Sequence, residues 1–360
     1  MKKVAFITIH IGFNFGSNLQ AIATSEILKK VGCESVCVNY IPPRTTWRRY
    51  WKEGFQSFRK MLSHIVYFPF TFWEKRRFSN YLANNCVVSK PVYNEDVFTQ
   101  RCPKADVYMT GSDQVWNFFY NEGLDTHYFF DGINGKKIAY ASSLGMAELN
   151  EEEKNWMEKY TRDYSFISVR EKTAVSVFEQ IGRKTVHVID PTMMLNYKEW
   201  ERYAKPRLVK EPYLFVYLPY NVSDVYICYA TARKIAKLYN LKVVSFSIFW
   251  ENENHADKTI RFTDPGDFLS LMIHADYVLT NSFHGTAFSI NLHKKFYVFM
   301  PSKFSTRITS ILEMCGLEKR LLSKEIVDDE ITLPIDYSIV ENALEREREK
   351  ALDFLRNALN

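Results

Sequence analysis

His284 lies where a β-prone run, Tyr277–Thr280, leads into a helix-prone run. Ser282 suits the start of that helix, and the residues after the histidine, beginning with Gly285 and Thr286, are small. Helix N-termini present N–H groups without intrahelical partners and a positive dipole end, and small side chains let a ligand approach them. The segment predicts an anion site where the imidazole binds or protonates a phosphorylated substrate. The alternative is that His284 only caps the helix while its neighbours allow close packing.

A second polar segment, GSDQVWN at residues 111–117, follows the β-prone run Val107–Met109. Its hydroxyl, carboxylate, amides and indole belong to Ser112, Asp113, Gln114, Asn117 and Trp116. So many such groups at a strand end are hard to explain as packing, and a sugar site uses these groups. We predict that this segment binds a sugar.

A third segment, Gly12–Gln20, also follows a strand-like run and contains Asn14, Ser17, Asn18 and Gln20. Ser17 or Asn18 can cap the next helix. The segment lacks both the GxGxxG spacing of a dinucleotide site and the Lys-Ser/Thr ending of a P-loop. Ligand contact and a tight turn with a helix cap both stay open as interpretations.

Three shorter strand ends follow, at Tyr140–Gly145, Ser168–Glu171 and Asp190–Thr192. Tyr140–Gly145 either lines the same cleft as the GSDQVWN segment or only turns the chain. In the second, Arg170 either forms a bidentate contact with a carboxylate or phosphate, or only pairs with Glu171. We interpret the third as a structural turn.

Two cations, Lys303 and Arg307, follow the strand-like run that ends at Met300. They would lie near His284 if the two strands are neighbours. Solvation at the surface is the alternative for both.

The elements that must position these residues alternate between strand and helix, which implies parallel sheets covered on both faces. In such sheets ligands bind beyond the carboxyl ends of the strands. In the first half we predict a helix near 17–31 and strands near 4–11, 35–40, 105–110, 137–143, 165–169 and 184–189. In the second half we predict strands near 213–218, 242–248, 276–280 and 296–300, and helices near 223–239, 265–274, 285–294 and 304–315.

We predict two doubly wound, Rossmann-like domains, at 1–196 and 210–330, with the charged stretch Tyr197–Glu211 as linker. A terminal helix at 337–359 is amphipathic and packs back across the domain boundary. The length of 360 residues agrees, because one core rarely grows to this size.

Composition excludes several other classes of protein. A net charge of +5 is modest for this length and gives no indication of nucleic acid. The six cysteines are scattered without CxxC pairs or zinc-ligand spacing, so we predict reduced packing residues and no metal site. No apolar run reaches the roughly 20 residues that span a bilayer, and no signal cleavage site follows Met1. These features predict a cytoplasmic protein.

The ordered set NFGSNLQA, GSDQVWN, YASSLG, SVRE, DPTM and NSFHGT resembles the polysaccharide pyruvyl transferase family, over roughly residues 3–315. The resemblance implies a fold similar to GT-B glycosyltransferases, with two Rossmann-like domains facing a cleft. It also implies transfer of a pyruvate ketal from phosphoenolpyruvate to two hydroxyls of a sugar. Family acceptors are commonly sugars of bacterial capsular polysaccharide or exopolysaccharide, and a galactose-type sugar on a lipid carrier is the expected kind.

This reaction needs cations for the donor's anionic groups, a proton donor and a base, and these requirements assign roles to the residues. A donor site would comprise Arg170, Ser282, His284, Gly285, Thr286, Lys303 and Arg307. An acceptor site would comprise Asn14, Ser17, Asn18, Gln20, Ser112, Asp113, Gln114, Trp116 and Asn117. His284, Asp113 and Arg170 would be catalytic, and the chemistry requires neither cofactor nor metal. Many members carry Ser-Arg-Leu-His at the last motif, so Ser282 stands where they have arginine. Either Arg307, Lys303 or Arg170 supplies that charge, or the donor binds differently.

Basic and aromatic residues interleave in an insertion at 43–78, whose only acids are Glu53 and Glu74. This mixture suits the headgroup region of an anionic bilayer and predicts peripheral contact with the inner face of the cytoplasmic membrane. The alternative is a helical insertion with solvated arginines.

Two other functions are compatible with this organisation. A nucleotide-sugar glycosyltransferase is the first, although the glutamate pair typical of its donor site occurs in the second half only at Glu341 and Glu349, in the terminal helix. A non-catalytic polysaccharide-assembly protein that binds a lipid-linked sugar is the second.

Overall fold

The alternation of short apolar runs with helical segments produces two six-stranded sheets whose neighbouring strands pair in parallel. The structure, a computed structural model, describes residues 1–94, 97–146, 148–220, 224–247, 255–261, 263–301 and 306–360. One unit comprises Met1–Pro191 and Lys350–Asn360, and the other comprises Thr192–Glu349. The predicted doubly wound architecture is therefore confirmed.

The first sheet has the strand order β2-β1-β5-β6-β7-β8. Its strands are β1 Lys3–Ile7, β2 Glu34–Cys37, β5 Val107–Thr110, β6 Lys136–Ser142, β7 Tyr164–Val169 and β8 Val186–His187, while β3 Tyr40–Ile41 pairs separately with β4 Val92–Tyr93. Every residue of β5, and β1 from Val4 onward, is buried. Burial of successive residues is what a strand covered on both faces requires.

The helices of the first unit are α1 Phe15–Lys30, α2 Trp47–Gly54, α3 Phe58–Asn85, α4 Phe98–Arg101, α5 Glu151–Thr161 and α6 Lys172–Gln180. The insertion at 43–78 is thus helical, with Thr46 capping α2 and Ser57 capping α3. Short 3₁₀ helices occupy Pro43–Thr45, Thr126–Phe129 and Pro191–Met193.

The second sheet has the order β11-β10-β9-β12-β13-β14. Its strands are β9 Tyr213–Tyr217, β10 Lys242–Ser247, β11 Lys258–Arg261, β12 Tyr277–Thr280, β13 Lys295–Phe299 and β14 Leu321–Leu322. The helices are α7 Tyr197–Glu201, α8 Val225–Tyr239, α9 Pro265–His274, α10 Phe283–Asn291, α11 Thr306–Met314, α12 Asp328–Ile331 and α13 Tyr337–Leu359, with a 3₁₀ helix at Glu318–Arg320. From Lys350 onward α13 belongs to the first unit, where Phe354 stacks on Tyr140.

Two predicted elements need correction. The strand predicted near 4–11 ends at Ile7, because Thr8 and the residues after it turn toward α1. The predicted linker Tyr197–Glu211 begins instead with α7, whose Trp200 is fully buried against Phe288 at 5.0 Å between ring centroids. The start of this charged stretch is therefore part of the second unit.

Each sheet has one point at which its strand order reverses. In the first sheet β1 is followed by β2 on one side and by β5 on the other, and in the second sheet β9 is flanked by β10 and β12 in the same way. Loops diverge at such a switch point and leave a crevice at the carboxyl end of the sheet, where ligands of doubly wound proteins bind. Three of the segments singled out in the sequence follow the switch-point strands β1, β5 and β12, and the others follow β6, β7, β8 and β13.

Among the residues that the structure describes, no helix combines the length and the apolar character needed to cross a membrane.

Candidate active site

Five segments at the carboxyl ends of the first sheet meet around the guanidinium of Arg170, which follows β7. Its Nη1 lies 2.6 Å from Oδ2 of Asp190 and its Nη2 3.2 Å from Oδ1 of Asp113. Its Nε lies 3.6 Å from Oε1 of Glu171. All four side chains are buried. We call Asp113, Glu171 and Asp190 the carboxylate cluster.

Each member of the carboxylate cluster also accepts a hydrogen bond from a serine hydroxyl. Ser112 donates to Asp190 at 3.1 Å. Ser17, on α1, donates to Asp113, and Ser143, after β6, donates to Glu171. The serines come from segments after β1, β5 and β6, so the small hydroxyl residues of the sequence motifs converge on one buried network.

Three carboxylates surround the guanidinium of Arg170 in this network. Burial alone would lower the pKa of Arg170, but the carboxylates of Asp190, Asp113 and Glu171 outweigh burial and raise it. A sugar hydroxyl could donate to these carboxylates. The sequence left open whether Arg170 binds a donor anion or pairs with Glu171; its guanidinium contacts Glu171 and two further carboxylates, those of Asp113 and Asp190. Among the described residues, no group of His, Cys, Asp or Glu is arranged to hold a metal ion.

Asp113 has an unusual backbone conformation, with φ of 71°. Asp tolerates this left-handed region better than most residues. Its Oδ1 accepts the backbone N–H of Gln114 at 2.9 Å, and its backbone carbonyl accepts the N–H of Ser143 at 3.1 Å. These bonds fix the carboxylate at the crevice between β1 and β5.

The loop between β1 and α1 is built differently from the prediction. Asn14, rather than Ser17 or Asn18, caps α1, because its side chain accepts the N–H of Ser17 at 3.2 Å. Asn18 donates to the carbonyl of His10 at 3.1 Å. Gln20 donates to Thr8 Oγ1 at 2.6 Å and is fully buried. Asn18 and Gln20 therefore hold the loop in its conformation, and Ser17 connects the loop to the carboxylate cluster.

Trp116 was predicted to contact a sugar, but its ring is fully buried and stacks on Phe129 with centroids 5.6 Å apart. It therefore has no exposed face for a sugar. Asn117 is also fully buried and donates to Gln114 Oε1 at 2.6 Å. These two amides lie against Gly145, whose φ of 63° and lack of a Cβ allow the close approach.

In the second unit, the predicted strand-to-helix junction is present between β12 and α10. Ser282 caps the helix by accepting the N–H of Gly285 at 3.4 Å. The hydroxyl of Thr286 donates to the carbonyl of Ser282 at 2.9 Å. A Cβ on Gly285 would meet Thr280 and would lie 3.0 Å from Tyr217 Cδ1, so glycine permits this close packing of α10 on the sheet.

Asn281 connects this junction to the segment that follows the neighbouring strand β9. Its Nδ2 donates to the carbonyl of Tyr220 at 2.5 Å, and its Oδ1 accepts the N–H of the same residue at 3.4 Å. The Tyr217 hydroxyl contacts Ser282, and burial raises the pKa of Tyr217, so this phenol is neutral. These contacts hold the segments after β9 and β12 together at the switch point.

His284 and Arg307 are both buried beside Phe283. The Phe283 and His284 rings lie 5.2 Å apart, and the Arg307 guanidinium carbon is 5.4 Å from the Phe283 centroid. A cation from α11 is thus close to the first turn of α10, as the sequence predicted for neighbouring strands. Lys303 lies outside the residues that the structure describes.

Sequence reasoning missed one member of the carboxylate cluster, Asp190, and one buried histidine of the loop between β1 and α1, His10. Asp190 was interpreted as a structural turn, although its position after β8 was a signal for the site. His10 follows β1; its Nδ1 lies 3.0 Å from the carbonyl of Thr8 and its Nε2 3.1 Å from Asn39 Oδ1, and burial lowers its pKa. No motif marked it.

Comparison with protein families gives one match: a model described as polysaccharide pyruvyl transferase matches residues 14–303. A search of curated proteins gives no match.

Several solved structures resemble this chain over nearly its whole length. A UDP-N-acetylglucosamine 2-epimerase has a TM-score of 0.54 and 12% identity, covering 98% of this chain and 95% of that chain. The S. aureus MnaA-UDP co-structure has a TM-score of 0.50 and 12% identity, covering 98% and 91%. Arabidopsis thaliana UGT89C1 complexed with UDP-L-rhamnose has a TM-score of 0.50 and 11% identity, covering 99% and 98%. At these identities the likeness concerns the fold alone, and it confirms the predicted GT-B-like class.

Proposed function

The chain belongs to the polysaccharide pyruvyl transferase family, a family of phosphoenolpyruvate-dependent transferases, and from this premise we propose that it forms a pyruvate ketal on two hydroxyls of a sugar. The sugar belongs to a bacterial surface polysaccharide, and a galactose-type residue on a lipid carrier is the acceptor we propose. Phosphate is the second product.

One observation carries this proposal. The two switch points hold opposite kinds of groups, with carboxylates and hydroxyls after β5 and a histidine with a buried arginine beside the start of α10. An acidic environment suits the activation of sugar hydroxyls. A helix N-terminus with a nearby cation suits the carboxylate and phosphate of phosphoenolpyruvate.

We propose that the second unit binds the donor. Ser282, Gly285 and Thr286 form the N-terminal end of α10, whose positive dipole end attracts the anionic groups of the donor, and Arg307 supplies the charge that other members take from the arginine at the position of Ser282. We include Lys303 in this set from the sequence alone. His284 binds the phosphate or delivers the proton to C3.

The reaction has two bond-forming steps. Protonation of C3 makes C2 of phosphoenolpyruvate electrophilic, and a first sugar hydroxyl bonds to C2 as it loses its proton. The second hydroxyl then bonds to C2 while the C2–O bond to phosphate breaks. Of the two hydroxyl protons, one balances the proton added to C3 and the other leaves with phosphate.

We propose that Asp113 orients or deprotonates the acceptor hydroxyls, with Ser17 beside it as a hydrogen-bonding partner. The remaining polar residues of the predicted acceptor site, Asn14, Ser112 and Gln114, complete the loops around it. Arg170 acts by holding Asp113 in place, and a donor anion would reach Arg170 only by displacing one of its three carboxylates.

The test is a panel of galactose-terminated and other saccharides incubated with phosphoenolpyruvate. We expect phosphate release that requires one class of saccharide, together with a product heavier by pyruvate less one water. UDP-sugars in place of phosphoenolpyruvate serve as the control. Glycosyl transfer from a UDP-sugar, without phosphate release from phosphoenolpyruvate, would contradict the proposal.

We further propose that the insertion docks on an anionic membrane, where a lipid-linked acceptor would be presented. Its aromatic residues divide into two groups. Trp47 and Trp51 pack on Phe68, with ring centroids 5.2 and 5.1 Å apart, so they hold α2 against α3. Other large apolar side chains are exposed, including Phe58 at 77% and Trp73 at 59%.

These exposed residues lie at helical spacing along α3. They are Phe58, Leu62, Ile65, Val66 and Trp73. Arg59, Lys60 and Arg76 are exposed on the same helix, and the Arg76 guanidinium carbon is 5.9 Å from the Trp73 ring centroid. An apolar stripe with adjacent cations is the pattern of a helix that lies in a membrane interface.

Sedimentation with anionic and neutral liposomes tests this part of the proposal. We expect anionic liposomes to retain the protein at low salt, and serine at Phe58, Leu62, Ile65 and Trp73 together to abolish retention. A control with serine at Tyr226 and Ile339, which are equally exposed in the second unit, should keep it. Equal retention of both variants would rule out this surface.

A further inference from the structure

A cavity of about 340 Å³ lies in the first unit, between the start of the insertion and the segment that follows GSDQVWN. Its lining is mostly polar, and it includes Arg44, Asn94, Asn121, Asp125 and His127. The volume is at the lower end of the roughly 300–1,000 Å³ of small-molecule sites. Neither the donor residues nor the carboxylate cluster line it.

The polar groups of this cavity are held in place by their neighbours. Asp125 accepts hydrogen bonds from the Tyr40 hydroxyl at 2.7 Å and from the backbone N–H of His127 at 3.2 Å, and its Oδ1 lies 2.9 Å from His127 Nδ1. The His127 ring stacks on Tyr40 with centroids 4.4 Å apart. The Tyr40 hydroxyl also reaches Asn94 Oδ1 at 3.3 Å. Such support is typical of a site prepared before its ligand arrives.

One lining residue has unused hydrogen-bonding capacity. Asn121 donates through Nδ2 to the backbone carbonyls of Val115 at 2.9 Å and Gln114 at 3.4 Å. Its Oδ1 is buried and has no hydrogen-bond partner in the described part of the chain. A buried acceptor without a partner costs on the order of 1–3 kcal/mol, and rotation of the Asn121 side chain toward the cavity would let a ligand hydroxyl recover it.

The charges of the cavity distinguish between classes of ligand. Arg44 is the one lysine or arginine in the lining, while Asp125 and Glu122 contribute two carboxylates, and Glu122 pairs with Arg49 at 3.5 Å. Arg44 is already engaged, since its guanidinium carbon lies 4.8 Å from the Tyr120 ring centroid. A phosphate or another anion would find the one lining cation already engaged and two carboxylates beside it. A neutral ligand rich in hydroxyls, which both donate and accept, matches amides, carboxylates and imidazole together.

We propose that this cavity is a subsite for a neutral sugar residue of the acceptor saccharide, next to the residue that receives the ketal. This rests on the proposed function for the identity of the acceptor. The connection is Asn121, which contacts the cavity and also holds the backbone of Gln114 and Val115 in the predicted acceptor segment. A ligand in the cavity is thus one side chain away from that segment.

Equilibrium binding of galactose and of lactose, without phosphoenolpyruvate, tests the subsite. We expect lactose to bind at least tenfold more tightly than galactose. Asn94→Trp places a large side chain at an exposed lining position and should reduce lactose affinity to that of galactose, leaving galactose unchanged. Asn357→Trp, also exposed but away from the cavity lining, should bind as the wild type does.

Saturation-transfer NMR gives a second readout that does not depend on the variant. We expect both rings of lactose to receive saturation from the wild type. Equal affinity for the two sugars, binding of neither, or unchanged lactose binding by Asn94→Trp would overturn the proposal. Because donor is absent, the subsite can stand when phosphate release fails, and phosphate release can stand when the subsite fails.

Discussion

At the scale of single residues, the main feature is the set of three carboxylates that contact Arg170. Asp113, Glu171 and Asp190 each contact this one guanidinium and one serine. Buried ion pairs of this kind add little net stability, because desolvation offsets much of the attraction. The cluster is therefore better explained by the positioning of Asp113 than by stabilisation of the fold.

Asp113→Asn tests this explanation. The amide keeps the shape of the side chain and leaves Arg170 in contact with Asp190 and Glu171, so we expect the midpoint of thermal unfolding to change little. Turnover should fall by roughly 10²–10⁴-fold if the carboxylate acts on the acceptor hydroxyl. Binding of phosphoenolpyruvate should be unchanged.

Asp190→Asn is the matched control, since it also removes one carboxylate from Arg170 but has no proposed contact with the acceptor. We expect its loss of turnover to be smaller than that of Asp113→Asn. Wild-type turnover in Asp113→Asn would remove Asp113 from the mechanism.

The sequence predicted part of this cluster. Asp113 and Arg170 stand out because each directly follows a buried strand. Asp190 was assigned to a turn and Trp116 to the ligand, because burial depends on what the rest of the chain packs against a side chain. A polar residue type indicates chemistry, but it does not say which way the side chain faces.

At the scale of elements, the β12–α10 junction depends on Gly285. Its Cα packs against Thr280 and Tyr217 without room for a Cβ. We expect Gly285→Ala to destabilise the protein by about 1–3 kcal/mol through overpacking, measured by urea unfolding. It should also abolish stabilisation by phosphoenolpyruvate, because α10 would shift away from β12. A variant with wild-type stability and donor binding would show that the close approach is unnecessary.

Helix α3 carries a second testable element, the buried Glu74. Burial raises the pKa of this carboxyl to about 7, and Arg77 opposes the rise only in part. The folded state therefore binds the proton more tightly than the unfolded state does. By linkage, the free energy of unfolding contributed by Glu74 falls as pH rises from about 4.5 to about 7 and is lost above that range.

Glu74→Gln should remove this dependence, and at pH 8 it should be more stable than the wild type by less than about 3 kcal/mol. Urea unfolding of both proteins at pH 5 and pH 8 measures the difference. Burial lowers the pKa of His10, so the contribution of His10 to the free energy of unfolding rises with pH below about 6.5. The variant must therefore be compared with the wild type at each pH. The exposed Glu179→Gln serves as control, and an equal effect there would contradict the assignment to Glu74.

Elements were predicted more accurately than residues. Helix α9 agrees at both ends, since Asp264 caps it and Pro265 begins it. The cap of α1 was misplaced because Asn14, Ser17 and Asn18 are all good capping residues, and local propensity alone does not choose among them. The short strands β3, β4 and β14 were missed because two residues carry no periodic pattern.

At the scale of the whole molecule, each unit repeats one plan: a parallel sheet with polar segments at its switch point. The alternation of strands and helices was enough to predict this plan. The roles of the two units were not predictable from alternation, because the same fold supports many functions. They depend on which groups each switch point carries, and on family membership.

The central claim is that phosphoenolpyruvate is the donor and that His284 belongs to its site. Thermal unfolding of the wild type, His284→Ala and the control His255→Ala, each with phosphoenolpyruvate or UDP, tests this most directly. A ligand at a hundred times its Kd adds about 2.7 kcal/mol of folded-state stability. We predict stabilisation by phosphoenolpyruvate in the wild type and in His255→Ala, and its loss in His284→Ala. Stabilisation by UDP without any by phosphoenolpyruvate would contradict the account and favour a nucleotide-sugar glycosyltransferase.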